Sequence, residues 1–96
     1  MSAITADTRP VLAAKARLRW DRRTSRYLLL YPERGLVLNP TAADVVERCT
    51  GAYTVDAIVD QLTVKYAPQP RHDVERETLA LLQRLAERGL IRTVDE

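Results

Sequence analysis

The stretch "LLLYPERGLVLN", Leu28 to Asn39, sets two apolar runs on either side of Pro32-Glu33-Arg34-Gly35. Each run is too short for an ordinary helix, and proline early with glycine late is the chemistry of a tight reversal. Two antiparallel strands are therefore predicted here. Upstream, "RLRWD" from Arg17 to Asp21 alternates, with Leu18 and Trp20 on one face and Arg17, Arg19 and Asp21 on the other. That is the pattern of a half-buried strand. "YLLLY", Tyr27 to Tyr31, is apolar on both faces and reads as a central strand covered on both sides or nearly so. "LVL", Leu36 to Leu38, is then the edge of a three-stranded antiparallel meander.

Asn39-Pro40 ends the sheet. Thr41 is the expected N-cap of a first helix, with Asp44 three residues later completing a capping-box pattern. Ala42, Val45, Val46 and Cys49 form its apolar stripe, and Gly51 its stop. Thr54 caps a second helix that buries Val55, Ile58, Val59 and Leu62 and ends at Tyr66, before Ala67-Pro68-Gln69-Pro70. A third helix is expected from Asp73 or Val74 to Arg88, stopped by Gly89. Its stripe of Val74, Thr78, Leu81 and Leu85 is widened by Leu79, Leu82 and Ala86 to about 160°, against the roughly 100° that a helix lying on a core needs. Either this helix lies deep among its neighbours, or part of its apolar sector lines a groove that a partner fills.

Residues 1–9 are small and polar and are expected to be a disordered arm. Residues 10–96 are expected to form a single domain. Pro10-Val11-Leu12 reads as an extended strap on the domain or on a neighbouring copy, and Leu90 and Ile91 as returning the C-terminus to the core. The predicted fold class is α+β: an N-terminal three-stranded antiparallel sheet followed by three helices. The arrangement is winged helix-turn-helix-like, with the sheet before the helices rather than after them.

The chain has 96 residues, 46% of them hydrophobic, with one tryptophan, four tyrosines and no phenylalanine. Leucine, valine and alanine must fill a modest core. One cysteine, Cys49, excludes an internal disulfide and a thiolate-rich metal site. His72, the single histidine, stands between Arg71 and Asp73 and reads as a solvated helix-start residue. There is no glycine-rich phosphate loop and no nucleophile beside a base. No catalytic residue, metal site or cofactor is assigned, and the expected class is not an enzyme. No apolar run is long enough to span a membrane, and "MSAITADTRP" is not a secretion signal. The expected location is the cytoplasm.

Two binding readings remain. A small winged-helix DNA-binding regulator would use Arg17, Arg19, Arg22, Arg23 and Arg26 around the first hairpin, but Asp73, Glu75 and Glu77 at the start of the third helix would repel phosphates. Peptide binding fits better. An apolar edge strand without lysine is normally avoided, because another chain can pair with it, and strand addition by a peptide uses just such an edge. The N-terminal strap, or a second copy's, is the competing cover for that edge and would give an intramolecular cover or a homodimer exchanged through the edge strand or the arm.

"RPVLAAKARLRWD", "LLLYPERGLVLN", "CTG", "TVDAIVDQL" and "LLQRLAERGLI" follow one another in the order and spacing of the PqqD family of pyrroloquinoline quinone biosynthesis. The resemblance covers residues 9 to 92. Leu29-Leu30-Tyr31-Pro32-Glu33 followed by Leu38-Asn39 is its most specific element. Thr50 stands where PqqD-like sequences commonly carry an acidic residue, at a cap position. The resemblance implies a non-catalytic peptide chaperone, a recognition element for leader peptides of ribosomally made, modified peptides. It would bind the precursor peptide PqqA and present it to PqqE, a radical S-adenosylmethionine enzyme that crosslinks a Glu and a Tyr of that peptide. The implied site is Leu36, Val37, Leu38 and Asn39 on the strand, with Val74, Thr78, Leu79 and Leu82 on the third helix. A quinone-carrying role, once suspected for the family, ranks lower because no polar quinone pocket is recognisable.

Overall fold

The computed structural model describes residues 4–94. Its elements run β1 (Pro10–Leu12), β2 (Arg17–Asp21), β3 (Arg26–Tyr31), β4 (Arg34–Leu38), α1 (Pro40–Glu47), α2 (Val55–Lys65), α3 (Arg71–Glu87) and β5 (Ile91–Thr93). The fold is α+β, with a three-stranded antiparallel sheet in the order β2-β3-β4 ahead of three helices, as expected.

The turn in the decisive stretch is tighter than its sequence suggests. Tyr31 pairs with Arg34, so Pro32 and Glu33 alone form the loop, and Gly35 already lies in β4. Glu33, with φ of 64°, takes the left-handed place that a type II turn requires after its proline. At Gly35 the constraint is space instead: a Cβ there would lie 3.2 Å from Leu30 Cδ2, so that side chain would have to give by a few tenths of an ångström. The central strand is covered on one face only, which corrects the two-sided reading. Residues paired across strands share a face, so Leu18, Leu29 and Leu36 point together toward the helices, where Leu29 is fully buried. On the other face Leu28 and Leu30 are half-buried, and Val37 is 53% exposed.

A second sheet was not foreseen. The strap β1 pairs antiparallel with β5, and Thr50 adds a bridge to Val11. Gly51, at φ of 86°, turns the chain beside this strap and donates its N–H to the Pro10 carbonyl at 3.0 Å. α1 itself ends sooner, at Glu47. Of the arm expected to be disordered, residues 1–3 lie outside the described residues. Ile4 to Arg9 are placed by backbone bonds: the first N–H groups of α2, at Val55 and Asp56, donate to the carbonyls of Thr8 (2.8 Å) and Ala6 (3.0 Å). A helix start has donors with no partner of their own, and here the arm supplies the acceptors.

The helices differ from expectation at their starts. Asn39, not Thr41, caps α1, its Oδ1 accepting from Ala42 N at 2.7 Å, and Pro40 takes the first turn, where its missing N–H costs nothing. Asp44 is no part of a capping box. It is buried and accepts from Lys65 Nζ at 2.9 Å and from the Tyr66 hydroxyl, with Arg48 alongside at 3.7 Å. α2 is capped by Thr54 and buries Val55, Ile58, Val59 and Leu62 as predicted. α3 starts at Arg71, two residues or more earlier than expected, because Arg71 bonds Asp56 (2.7 Å) and Asp60 (2.8 Å) on α2. Leu29, Ile58, Leu62, Leu82, Leu85 and Leu90 are the large, fully buried residues where sheet and helices meet.

Burial alone would raise the Asp44 carboxyl, but bonds from Tyr66 and Lys65 and the charges of Lys65 and Arg48 outweigh it and hold it below its ordinary value. Its contribution to stability is thus complete above a pH of about 4, where the unfolded carboxyl ionises, and is lost as pH falls through the lower folded value. Asp44→Ala is expected to destabilise the protein by about 2 kcal/mol at neutral pH, the cost of losing the charged acceptor to which Lys65 and Tyr66 donate. Urea unfolding of wild type and variant should show this gap at pH 7 and a narrowing gap in acid.

Candidate functional site

A two-residue loop makes Tyr31 and Arg34 the closing, hydrogen-bonded pair of the β3–β4 hairpin. Antiparallel ladders alternate, so Leu36 and Leu38 also spend their backbone groups on β3. Gly35 and Val37 turn theirs the other way. On that side β4 has no neighbouring strand among the described residues, and the strap that was the alternative cover pairs with β5. The opposite margin of the sheet, β2, carries Arg17 and Arg19, both exposed, which blunt it. β4 is the apolar edge.

Beside that edge runs a groove of about 250 Å³, lined by Leu36, Val37, Leu38, Asn39 and Ala42 on one side and by Leu81, Arg84, Leu85 and Arg88 of α3 on the other. A further 190 Å³ continues it past Thr41 and Val45 to Glu77, Thr78 and Ala80, sharing Asn39, Ala42, Leu81 and Arg84 with the first part. All four strand-side residues named from the sequence line this groove, with Asn39 already engaged as the α1 cap. Of the four helix residues, Thr78 lines it. Val74 and Leu82 are buried in the core, Leu79 is half-buried against it, and none of these three lines the groove.

The residues that sequence reasoning missed are Ala42, Leu81, Arg84, Leu85 and Arg88 in the first part of the groove, and Thr41, Val45, Glu77 and Ala80 in its continuation. Leu81 and Leu85 belong to the apolar stripe of α3, and Arg84 and Arg88 follow at helical spacing on one flank of it. That flank of paired cations was the available sign. The opposite flank, with Leu79 and Leu82, is the side that packs on the core.

Chemically the groove has an apolar floor, a free strand edge and cationic side chains on one lip. Among the described residues no three of His, Cys, Asp and Glu could hold a metal ion. His72 is exposed, and burial pushes the Cys49 thiol up to about 12, which leaves it unreactive. A larger cleft of about 600 Å³ at the β2–β3 hairpin, lined by Arg19, Trp20, Arg22 and Arg23 among others, lies beside β2, the arginine-bearing margin of the sheet. No helix among the described residues is long and apolar enough to cross a membrane.

The model of the family described as Coenzyme PQQ synthesis protein D (PqqD) matches residues 26–91, a span that contains β3, β4 and all of α3. The chain belongs to the PqqD family. It is 37% identical over 89 residues to a PqqA binding protein of Rhodopseudomonas palustris strain TIE-1, covering 93% of this chain and 86% of that one. It is 33% identical to the PqqA binding protein of Methylococcus capsulatus strain Bath, covering 96% of each. Among solved structures it resembles the PqqD part of Methylobacterium extorquens PqqCD, a stand-alone recognition element for ribosomally synthesized, modified peptides. The TM-score is 0.75 at 30% identity, over 86% of this chain and 87% of that one. It also resembles a lasso peptide synthetase B1 complexed with its leader peptide, with a TM-score of 0.73 at 26% identity, over 88% and 98% of the two chains. These PqqD-family relatives are thus named for binding PqqA and not for catalysis.

One groove residue of this PqqD-family chain carries an unmet polar group. Thr78 is 1% exposed, and its Oγ1 has no hydrogen-bond partner among the described residues. Thr78→Val keeps the shape and removes the hydroxyl, so it is expected to stabilise the free protein by about 1 kcal/mol. A higher urea midpoint at unchanged slope would show it.

Proposed function

We propose that the chain is a non-catalytic binding protein for the precursor peptide PqqA. The peptide adds as a further strand to β4, against α3, and is held there for PqqE to modify. The observation that carries this reading is the outward-turned backbone of Gly35 and Val37 beside a groove floored by Leu81 and Leu85. Backbone bonds to an edge supply affinity, and pockets for alternate side chains supply choice. Membership of a family whose relatives are named PqqA binding proteins supports the peptide's identity. The structural likeness to a synthetase solved with a leader peptide supports its class.

DNA binding is the weaker reading. On α3, Asp73 pairs with Arg76 and Glu75 with Arg71, so the start of the helix offers no free cationic face to phosphates.

Val37→Pro removes an outward N–H while leaving the β3 ladder intact, since Val37 does not bond toward β3. Titrating labelled PqqA and following anisotropy, the variant is expected to bind at least tenfold more weakly than wild type, with an unchanged far-UV spectrum. Equal affinity in a folded variant would rule out strand addition at β4. A regulator would show DNA affinity that falls steeply with salt and no response to PqqA.

A further inference from the structure

The two halves of α3 treat their charges differently. In the first half, Arg71 pairs with Asp56, Asp60 and Glu75, and Arg76 with Asp73. In the second half, Arg84 and Arg88 have no carboxylate within ion-pair distance among the described residues. Both line the groove beside Leu36 to Asn39. The partial negative charge of a helix C-terminus favours cations there, but it does not direct both onto the lip that faces the open strand. The groove's own carboxylate, Glu77, stands at the other end, where Gln69 Nε2 donates to it at 2.7 Å. The groove therefore grades from acidic at Glu77 to basic at Arg88 over an apolar floor.

We infer that the groove selects a peptide carrying a carboxylate opposite Arg84 and Arg88 and apolar side chains over Leu81 and Leu85. This rests on strand addition at β4. Inward-facing positions of an added strand recur every second residue, about 6.7 Å apart. Arg84 and Arg88 are separated by about 6 Å along the helix axis. Two acidic residues at alternate positions can each meet one guanidinium, and a single one can lie between both. Guanidinium–carboxylate pairs form two parallel hydrogen bonds, and apolar walls limit the competition from water. The requirement for backbone pairing makes the acidic ligand a peptide and not a nucleic acid.

The test titrates labelled PqqA into wild type, Val37→Pro and the double variant Arg84→Glu/Arg88→Glu, with a thermal melt of each. Both arginines are exposed, so charge reversal leaves the core intact. The double variant is expected to bind at least tenfold more weakly. A PqqA peptide with its acidic residues replaced by lysine should regain affinity for the double variant and lose it for wild type. If the double variant binds unaltered PqqA as wild type does while Val37→Pro does not, the carboxylate assignment is overturned and strand addition stands. If Val37→Pro also binds normally, or wild type binds no PqqA, strand addition falls and takes this inference with it.

Discussion

Every buried backbone N–H and C=O must find a partner, and a chain with so small a core has few elements to supply them. The fold meets much of this demand by pairing its short segments with one another. β1 takes β5 as its partner, Thr50 joins that pair, and the carbonyls of Ala6 and Thr8 receive the first donors of α2. Asn39 satisfies the start of α1. β4 is bonded on one side and has an open groove on the other. Of the two margins of its sheet, β4 is the apolar one with a groove beside it, and α3 forms the groove's other wall.

Local chemistry wrote most of this plainly. The alternation of Arg17 to Asp21, the Pro32 turn, the Thr54 cap and the stripe of α2 act through neighbours in sequence, and each was legible. What was not legible depends on distant partners. Asp44 looks like a capping residue until Lys65 and Tyr66 are brought beside it. Arg71 looks like linker until Asp56 and Asp60 draw it into helix. β1 and β5, three residues each, carry too little pattern to be strands except by pairing with one another.

The candidate site was half legible for the same reason. The strand side followed from order alone, since the last strand of a meander is an edge. The helix side needed an angle. A wide apolar sector has two flanks, and composition does not say which one faces the sheet edge. Leu82 and Val74 went to the core, while Leu81 and Leu85 became the floor of the groove. Arg84 and Arg88, without an ion-pair partner among the described residues, mark the flank left to solvent, whereas Leu79 and Leu82 mark the one that packs inward.

That same pair bears on why an apolar edge is tolerable. An open strand invites another copy of itself, and a second β4 would offer Arg34, Gly35, Leu36, Val37 and Leu38. None of these carries a negative charge to set against Arg84 and Arg88, and Arg34 adds a like one. Two such edges meeting would gain backbone bonds while crowding cations together, a repulsive element of the kind that discriminates between partners. The short strand is further bounded by the Pro32 turn at one end and Pro40 at the other, which limits the length over which any chain can pair. An acidic peptide shares the limit on length but does not meet the repulsion. On this argument the charge on the lip of α3 would serve twice, by drawing the proposed acidic strand and by disfavouring pairing of the edge with its own kind.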